Sequence, residues 1–340
     1  MRWSSAVLVA GVVISVCACS ASPDAATPPP TPSAAITNEL PVLTLQATVS
    51  NLSGTIAVVV ASDAIWVLDH QHPAVRRVDP ATNAVTATVE LGEGFANGLG
   101  LAGGKLWTFH QTAGEVVGID PATATIVATV PGGQDGDTFW VGDDAAWLLT
   151  AGSLVRVDGA TSKATLLSLA EPCPVAGAAA AGGFVWFAAA DGAICKLDAK
   201  SGAIAGRGTG AGIGAGMQVV AGAPWVPTSD GGLAIFDPAA MSVSRNVPPP
   251  ANGTFHGSLY GIGHPDENAV VAGNVDGSAG WVRYLGGAVA RVTLSGTPSM
   301  ALYAGFPPDT LPGRVAEAFG SLWVANFGAG TVERYALPTP

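Results

Sequence analysis

The chain has 340 residues, of which 11% are charged and 49% hydrophobic, and its formal net charge is −11. Phosphate backbones are held by clustered Lys and Arg, and only 14 are present, which excludes nucleic acid as a partner. With 45 Gly and 25 Pro the chain is dense in turn formers, unlike a helical protein.

The first residues bear on location. Arg2 precedes an apolar run from Ser5 to Val16 (SAVLVAGVVISV), too short to span a membrane as a mature helix. The following Val16-Cys17-Ala18-Cys19 resembles a bacterial lipobox. Residues 1–18 are then a lipoprotein signal peptide and Cys19 is the lipidated residue. Cleavage before Cys17 and a plain secretory signal are the alternatives. Residues 19–39 contain PDAATPPPTPSAA, a Pro, Ser, Thr and Ala-rich stretch without periodicity, which reads as a disordered tether. The expected place is the cell envelope, on the outer face of the plasma membrane or in a periplasm-like space, with the lipid as the sole membrane contact. Beyond the anchor, Cys173 and Cys195 remain. An oxidising envelope invites a disulfide between them, closing a loop of about 20 residues and adding about 3 kcal/mol. Two buried free thiols are the alternative.

Residues 75–92 read VRRVDPATNAVTATVELG, and residues 116–133 read VVGIDPATATIVATVPGG. This is one unit of a longer repeat. Trp66, Trp107, Trp147, Trp186 and Trp225 follow one another at 41, 40, 39 and 39 residues, each inside an apolar run. After each comes a polar loop, then an alternating strand that ends in Asp79, Asp120, Asp158, Asp198 or Asp237. A turn and a further strand complete the unit. A sixth unit, where AVVAG stands in for the Trp strand and AVARVTL closes, and a seventh led by Trp323 are less regular. The seventh stops one strand short, and VLTLQATVS (Val42 to Ser50) supplies that strand from the other end of the chain. Four-stranded repeats of roughly 40 residues form the blades of a propeller. The fold class is therefore all-β: a seven-bladed β-propeller over residues 40–340, its ring closed by the N-terminal strand. The expected blades are 54–91, 95–131, 137–169, 175–206, 215–248, 257–294, and 313–337 with 42–50. The tryptophans are expected to pack between blades.

The repeated Asp reads as structural. Asp followed by Pro favours a type I turn, because Pro presets φ and the Asp carboxylate bonds the backbone ahead. Four residues on, a left-handed residue is wanted. Asn83 and Gly202 suit that conformation and Ala124, Ser162 and Met241 do not, so the turns are expected to differ.

The stretches IDPATATIVATVPGG and VDPATNAVTATVELG resemble the repeat of the YVTN family of β-propellers, and FGSLWVANFGAGTVERYALP resembles that of streptogramin-lyase-like propellers. The resemblance spans residues 40–340. It implies a propeller, and a surface sensor or binding protein as readily as an enzyme. Lyases of the second group use a His with a metal held by carboxylates. No stretch here matches that motif residue for residue. His256 and Glu267 lie in the corresponding region, and no catalytic role is carried onto them.

Loops between second and third strands share a face with the links between blades, and propellers usually bind ligands there. The loops bring Asp69, His70, His72, His110, Asp191, Asp230, Asp276 and Asn326. The links add Glu93, Asn97, Asp135, Asp137 and His256. His110 occupies in the second unit the position of Asp69 in the first. Asp69, His70, His72 and His110 could together hold a divalent ion such as Zn²⁺, although the spacing is no zinc signature. Otherwise they are solvated loop residues or ligand partners, and no cofactor is expected. Gln134 to Asp137 lacks the closing carboxylate of a calcium loop. The glycines from Gly206 to Gly216 lack the helix a dinucleotide site needs, and no GxSxG is present. The reading is a monomeric, non-catalytic binding module for an envelope protein or small ligand. A metal-assisted lyase or hydrolase resembling streptogramin lyase is the alternative.

Overall fold

The computed structural model describes residues 41–150, 153–169, 173, 175–189, 191–210, 217–228, 231–250, 269–273, 279–284, 288–304 and 312–338. Cys19, Asp230, His256 and Asp276, with the signal and tether, lie outside them. Seven four-stranded antiparallel sheets form a ring, a β-propeller. Blade one is Thr55–Ala61, Ala64–Asp69, Ala74–Val78 and Val85–Glu90; blade two is Ala96–Ala102, Lys105–His110, Glu115–Asp120 and Thr125–Pro131. Blade three is Thr138–Gly142, Ala145–Thr150, Ser153–Asp158 and Ala164–Ser168; blade four is Gly177–Ala181, Phe184–Ala188, Ala193–Asp198 and Ile204–Thr209. Blade five is Gln218–Val220, Ala223–Pro227, Leu233–Asp237 and Ser242–Val247; blade six is Ala269–Gly273, Ala279–Tyr284, Ala288–Thr293 and Ser299–Tyr303. Blade seven is Pro312–Ala318, Ser321–Asn326, Thr331–Ala336 and, from the far end of the chain, Leu45–Val49. That last strand pairs Leu45 with Tyr335 and Val49 with Val332. First strands of neighbouring blades touch all round the ring, blade seven meeting blade one.

Among the described residues the buried side chains form seven clusters, one per blade interface. Each interface receives the Trp of one blade's second strand: Trp66, Trp107, Trp147, Trp186, Trp225, Trp281 and Trp323, all fully buried. A buried indole removes roughly 150–250 Å² from water, the largest share any residue can contribute to such an interface. Blade six departs from the expected span of 257–294. AVVAG is its first strand, Trp281 leads its second, and AVARVT is its third. The regular Trp spacing breaks before Trp281, which shifted the sequence assignment by one strand.

The five Asp turns are alike, contrary to expectation. Asn83, Ala124, Ser162, Gly202 and Met241 all have φ between 53° and 72°. In each, the N–H of that residue donates to the Asp carbonyl four residues back, at 2.7–2.9 Å. The carboxylate accepts from backbone N–H groups ahead of it, as in Ala81 and Thr82 to Asp79 at 2.8 and 2.9 Å. This bonding holds the loop shut and imposes a left-handed residue whether or not it is Gly. Cations stack on the Trp of one blade and reach the turn of the next. Lys105, 6.0 Å from the Trp107 ring, donates to Gly159 O (2.8 Å) and Ala160 O (2.6 Å). Lys196 reaches Pro238 O (3.0 Å), and Arg334 reaches Pro80 O (2.6 Å) across the closure. Cys173 and Cys195 form a disulfide that ties the link before blade four to its third strand.

The turn carboxylates Asp79, Asp120, Asp158, Asp198 and Asp237 are held below the ordinary 3.8. Backbone N–H donors dominate, except at Asp198, where the Ser201 hydroxyl leads. A depressed folded pKa gives stability that is present above the unfolded pKa and lost as pH falls through the folded value. The melting temperature is therefore expected to fall as pH drops below about 4. A variant with all five replaced by Asn should show a flatter profile there, and identical profiles would refute the assignment. Ser162→Gly relieves a left-handed non-Gly residue without removing a core side chain. It should raise the urea midpoint by the equivalent of about 0.5–1 kcal/mol.

Candidate functional site

Backbone bonds lace the links onto the second-to-third loops. Leu91 N–H donates to Pro73 O (2.8 Å), Gly132 to Gly114 O (3.1 Å), Gly210 to Gly192 O (2.8 Å) and Leu52 to Gly330 O (3.2 Å). These loops and links therefore make one continuous face. The Asp turns end the opposite edge of the sheets.

In five of the seven blades the second strand ends three places after its Trp, and in blades four and five it ends two places after. In blades one, two, three and seven the end residue is Asp69, His110, Thr150 and Asn326. Second strands are covered on both sides, so Asp69, His110 and Asn326 lie inside the blade. Asp69 is fully buried; it accepts from Arg76 Nε at 2.6 Å and Thr55 Oγ1 at 3.3 Å. Burial raises its carboxyl, and Arg76 opposes this incompletely. His110 donates from Nε2 to Glu93 O at 2.9 Å, since a carbonyl can only accept. Asn326 donates to Glu333 Oε1 at 3.2 Å.

His70 and His72 follow the strand end and lie on the face. His70 donates from Nδ1 to Ala96 O at 2.7 Å, and His72 Nδ1 meets Ser53 Oγ at 2.8 Å. The expected quartet of Asp69, His70, His72 and His110 does not converge. Two members are buried with partners of their own and two are separately bonded. No three His, Cys, Asp or Glu side chains among the described residues come together to hold a metal ion. The equivalence of Asp69 and His110 along the strand is real, but the strand end points inward. Asp191 is exposed, with its carboxylate accepting from Ala193 N–H at 3.0 Å. Asp137 turns back to cap Gln134 N–H at 2.8 Å.

What the loops do assemble is an aromatic shelf. The His70 ring lies 5.2 Å from the Phe95 ring and 5.9 Å from that of Phe327. Phe327 comes from blade seven, His70 from blade one, and Phe95 from the link to blade two. Phe95 is 51% exposed. Its N–H donates to Thr112 Oγ1 at 2.9 Å, which fixes the link from below. Gly54 leaves space for the shelf: a Cβ there would lie 3.0 Å from Phe327 Cε2, with φ already at +67°. Gln71 and His72, next in the chain after His70, and Glu93, two residues before Phe95, are exposed. Sequence reasoning named His70 and missed both phenylalanines. The available signal was an aromatic residue placed among Gly and Asn in a loop, GEGFANG and ANFGAG.

Asp69 supports this face from beneath, because its partners tie the first and third strands together below His70. Asp69→Ala would leave the Arg76 guanidinium without its carboxylate. It should cost about 3 kcal/mol in urea denaturation, and a loss below the error of the method would show the pair to be dispensable.

No protein-family model matches the chain, and no curated protein matches it in sequence. Solved structures do match in fold. Virginiamycin B lyase from Staphylococcus aureus superposes with a TM-score of 0.65 at 13% identity, covering 87% of this chain and all of that one. The β-propeller domain of Cps50 (Swd1) from Myceliophteria thermophila gives 0.64 at 12% identity, covering 87% and 100%. Hydrazine synthase from Kuenenia stuttgartiensis gives 0.62 at 13% identity, covering 86% and 97%. At these identities the likeness is one of fold: the chain has the β-propeller architecture that a lyase and a Swd1 domain share.

Proposed function

We propose that the chain is an envelope-anchored binding module, held to the membrane through Cys19, that engages a protein or small ligand without catalysing a reaction. The observation that carries the reading is the shelf of His70, Phe95 and Phe327. Aromatic carbon stands exposed on a face otherwise lined by polar loops. Exposed Gln71 and His72 follow His70 in the chain, exposed Glu93 precedes Phe95, and Thr112 accepts from the Phe95 backbone. Aromatic anchors inside a polar rim are the anatomy of a recognition surface. The shelf is also pre-organised. The His70 ring is pinned to Ala96 O and the Phe95 backbone to Thr112 Oγ1, so the imidazole and the link are already ordered before a partner binds. The anchor follows from the lipobox-like sequence, and an acidic surface facing outward suits a partner that is itself neutral or basic.

Photocrosslinking tests this reading. A benzophenone amino acid placed at position 95 on the shelf should give a discrete adduct in envelope preparations. The same probe at Phe319, exposed in the turn between the first two strands of blade seven, should give none. His70→Ala should reduce the adduct at 95 at least tenfold. Equal labelling from both positions would show contact without recognition and end the proposal.

A further inference from the structure

A second feature, independent of the shelf, lies where the first strands meet. Arg314 is on the first strand of blade seven, the innermost strand of that sheet, which lies against the first strands of blades one and six. Pro312 pairs with Asn326, so the strand begins at the loop face. A bulge between Pro312 and Val315 takes Arg314 out of the regular register. Next to it, a Cβ on Gly313 would lie 3.1 Å from Thr55 O of blade one and 2.7 Å from Ala325 Cβ. The backbone here is thus packed tightly between blades seven and one.

Two guanidinium groups flank Gly313. Arg283 of blade six is fully buried and donates to Gly313 O (3.2 Å) and to Ala325 O. Burial lowers its pKa to about 10, and the Glu333 carboxylate acts against that. Glu333 is itself occupied, accepting from Asn326 Nδ2, Thr331 Oγ1 and Tyr335 OH at 3.2, 3.3 and 2.5 Å. Arg314 has no such balance. It forms no ion pair or hydrogen bond among the described residues. Burial is the one influence acting on it, and it pulls the group down. Part of its surface still reaches solvent. Its place on the innermost strand sets Arg314 at the inner wall of the ring, near the loop face.

A guanidinium in such a place is unfavourable unless an anion meets it. Its planar fork of N–H donors fits the two oxygens of a carboxylate or phosphate. By contrast Arg76, Arg77, Lys105, Arg156, Lys196 and Arg334 all have carboxylate or carbonyl partners. We propose that Arg314 anchors an oxyanion site at the centre of the ring, taking the carboxylate or phosphate of a ligand that enters from the loop face.

Inorganic phosphate and acetate, each titrated against chloride at constant ionic strength, test this by melting temperature. The wild-type chain should show a saturable rise with at least one of them. Arg314→Gln should abolish the rise, Arg314→Lys should weaken it, and Arg245→Gln on an exposed outer strand should leave it intact. A response to phosphate alone would assign a phosphorylated ligand, and one to acetate alone a carboxylic acid. Without added anion, Arg314→Gln should melt at or above the wild-type temperature, because an unbalanced charge is removed. A variant that melts several degrees lower, or fails to fold, would make Arg314 a structural residue and overturn the proposal. A rise that survives in Arg314→Gln, or equals that in chloride, would mean an adventitious ion only. Phe95→Ala should leave the anion response in place, so this site and the shelf stand or fall separately.

Discussion

A β-sheet has two faces, and both must be removed from water; everything else in this molecule depends on how the ring meets that demand. Each blade sends its Trp toward the blade that follows, so every interface has the same polarity. Trp66 packs toward blade two, Trp281 toward blade seven, and Trp323 toward blade one. The last interface is built like the others, with Val49, Ala325 and Val332 against Val58, Ile65 and Val67. Leu45–Val49 supplies the outer strand of blade seven and sends Val49 into this interface. Without that strand the third strand of blade seven would be an open edge. Residues nearly three hundred positions apart in the chain thereby make the contact that turns a row of sheets into a ring.

The two ends of the strands obey different rules. On the turn side, geometry is repeated: Asp carboxylates cap their own loops, and Lys105, Lys196 and Arg334 pin one blade to the turn of the next. On the loop side only backbone lacing repeats, and side chains vary from blade to blade. A surface whose shape is fixed by main-chain bonds can change its side chains without losing the fold, which is why such a face can carry recognition.

Much of this was legible in the sequence, and the reasons it was so are physical. A Trp spacing near 40 registers the blade period directly, and the Asp-Pro turns register the strand ends. Three things were not legible. The Trp281 strand was hidden because spacing is interrupted before it, so periodicity lost its frame. The left-handed turn residues were misjudged because intrinsic preference was weighed above the Asp carboxylate and carbonyl, which together close the loop regardless of the residue. The burial of Asp69 and His110 was missed because a strand covered on both faces has no outward side. The repeat gave their equivalence along the chain and could not give their depth.

The placement of buried polarity carries the argument one step further. With 11% charged residues the chain relies on apolar packing, so each charge it does bury is informative. Among the described residues the buried ionisable groups Asp69, His110, Arg283 and Glu333 belong to blades six, seven, one and two, and Asp137 lies ahead of blade three. Between blades three and five the shared clusters are apolar and include Cys173 and Cys195, and the polar contacts, Gly183 N–H to Asp143 and Lys196 to Pro238 O, lie on the turn side. The shelf and Arg314 fall within the same arc, around the closure. A purely structural closure would be better served by apolar residues, since buried ion pairs seldom add net stability. Departures from the local rule of apolar packing gather where a protein recognises something. Here four of the five lie in the blades around the closure, where His70 of blade one and Phe327 of blade seven also meet, so the folding event that completes the ring also completes the surface proposed to bind.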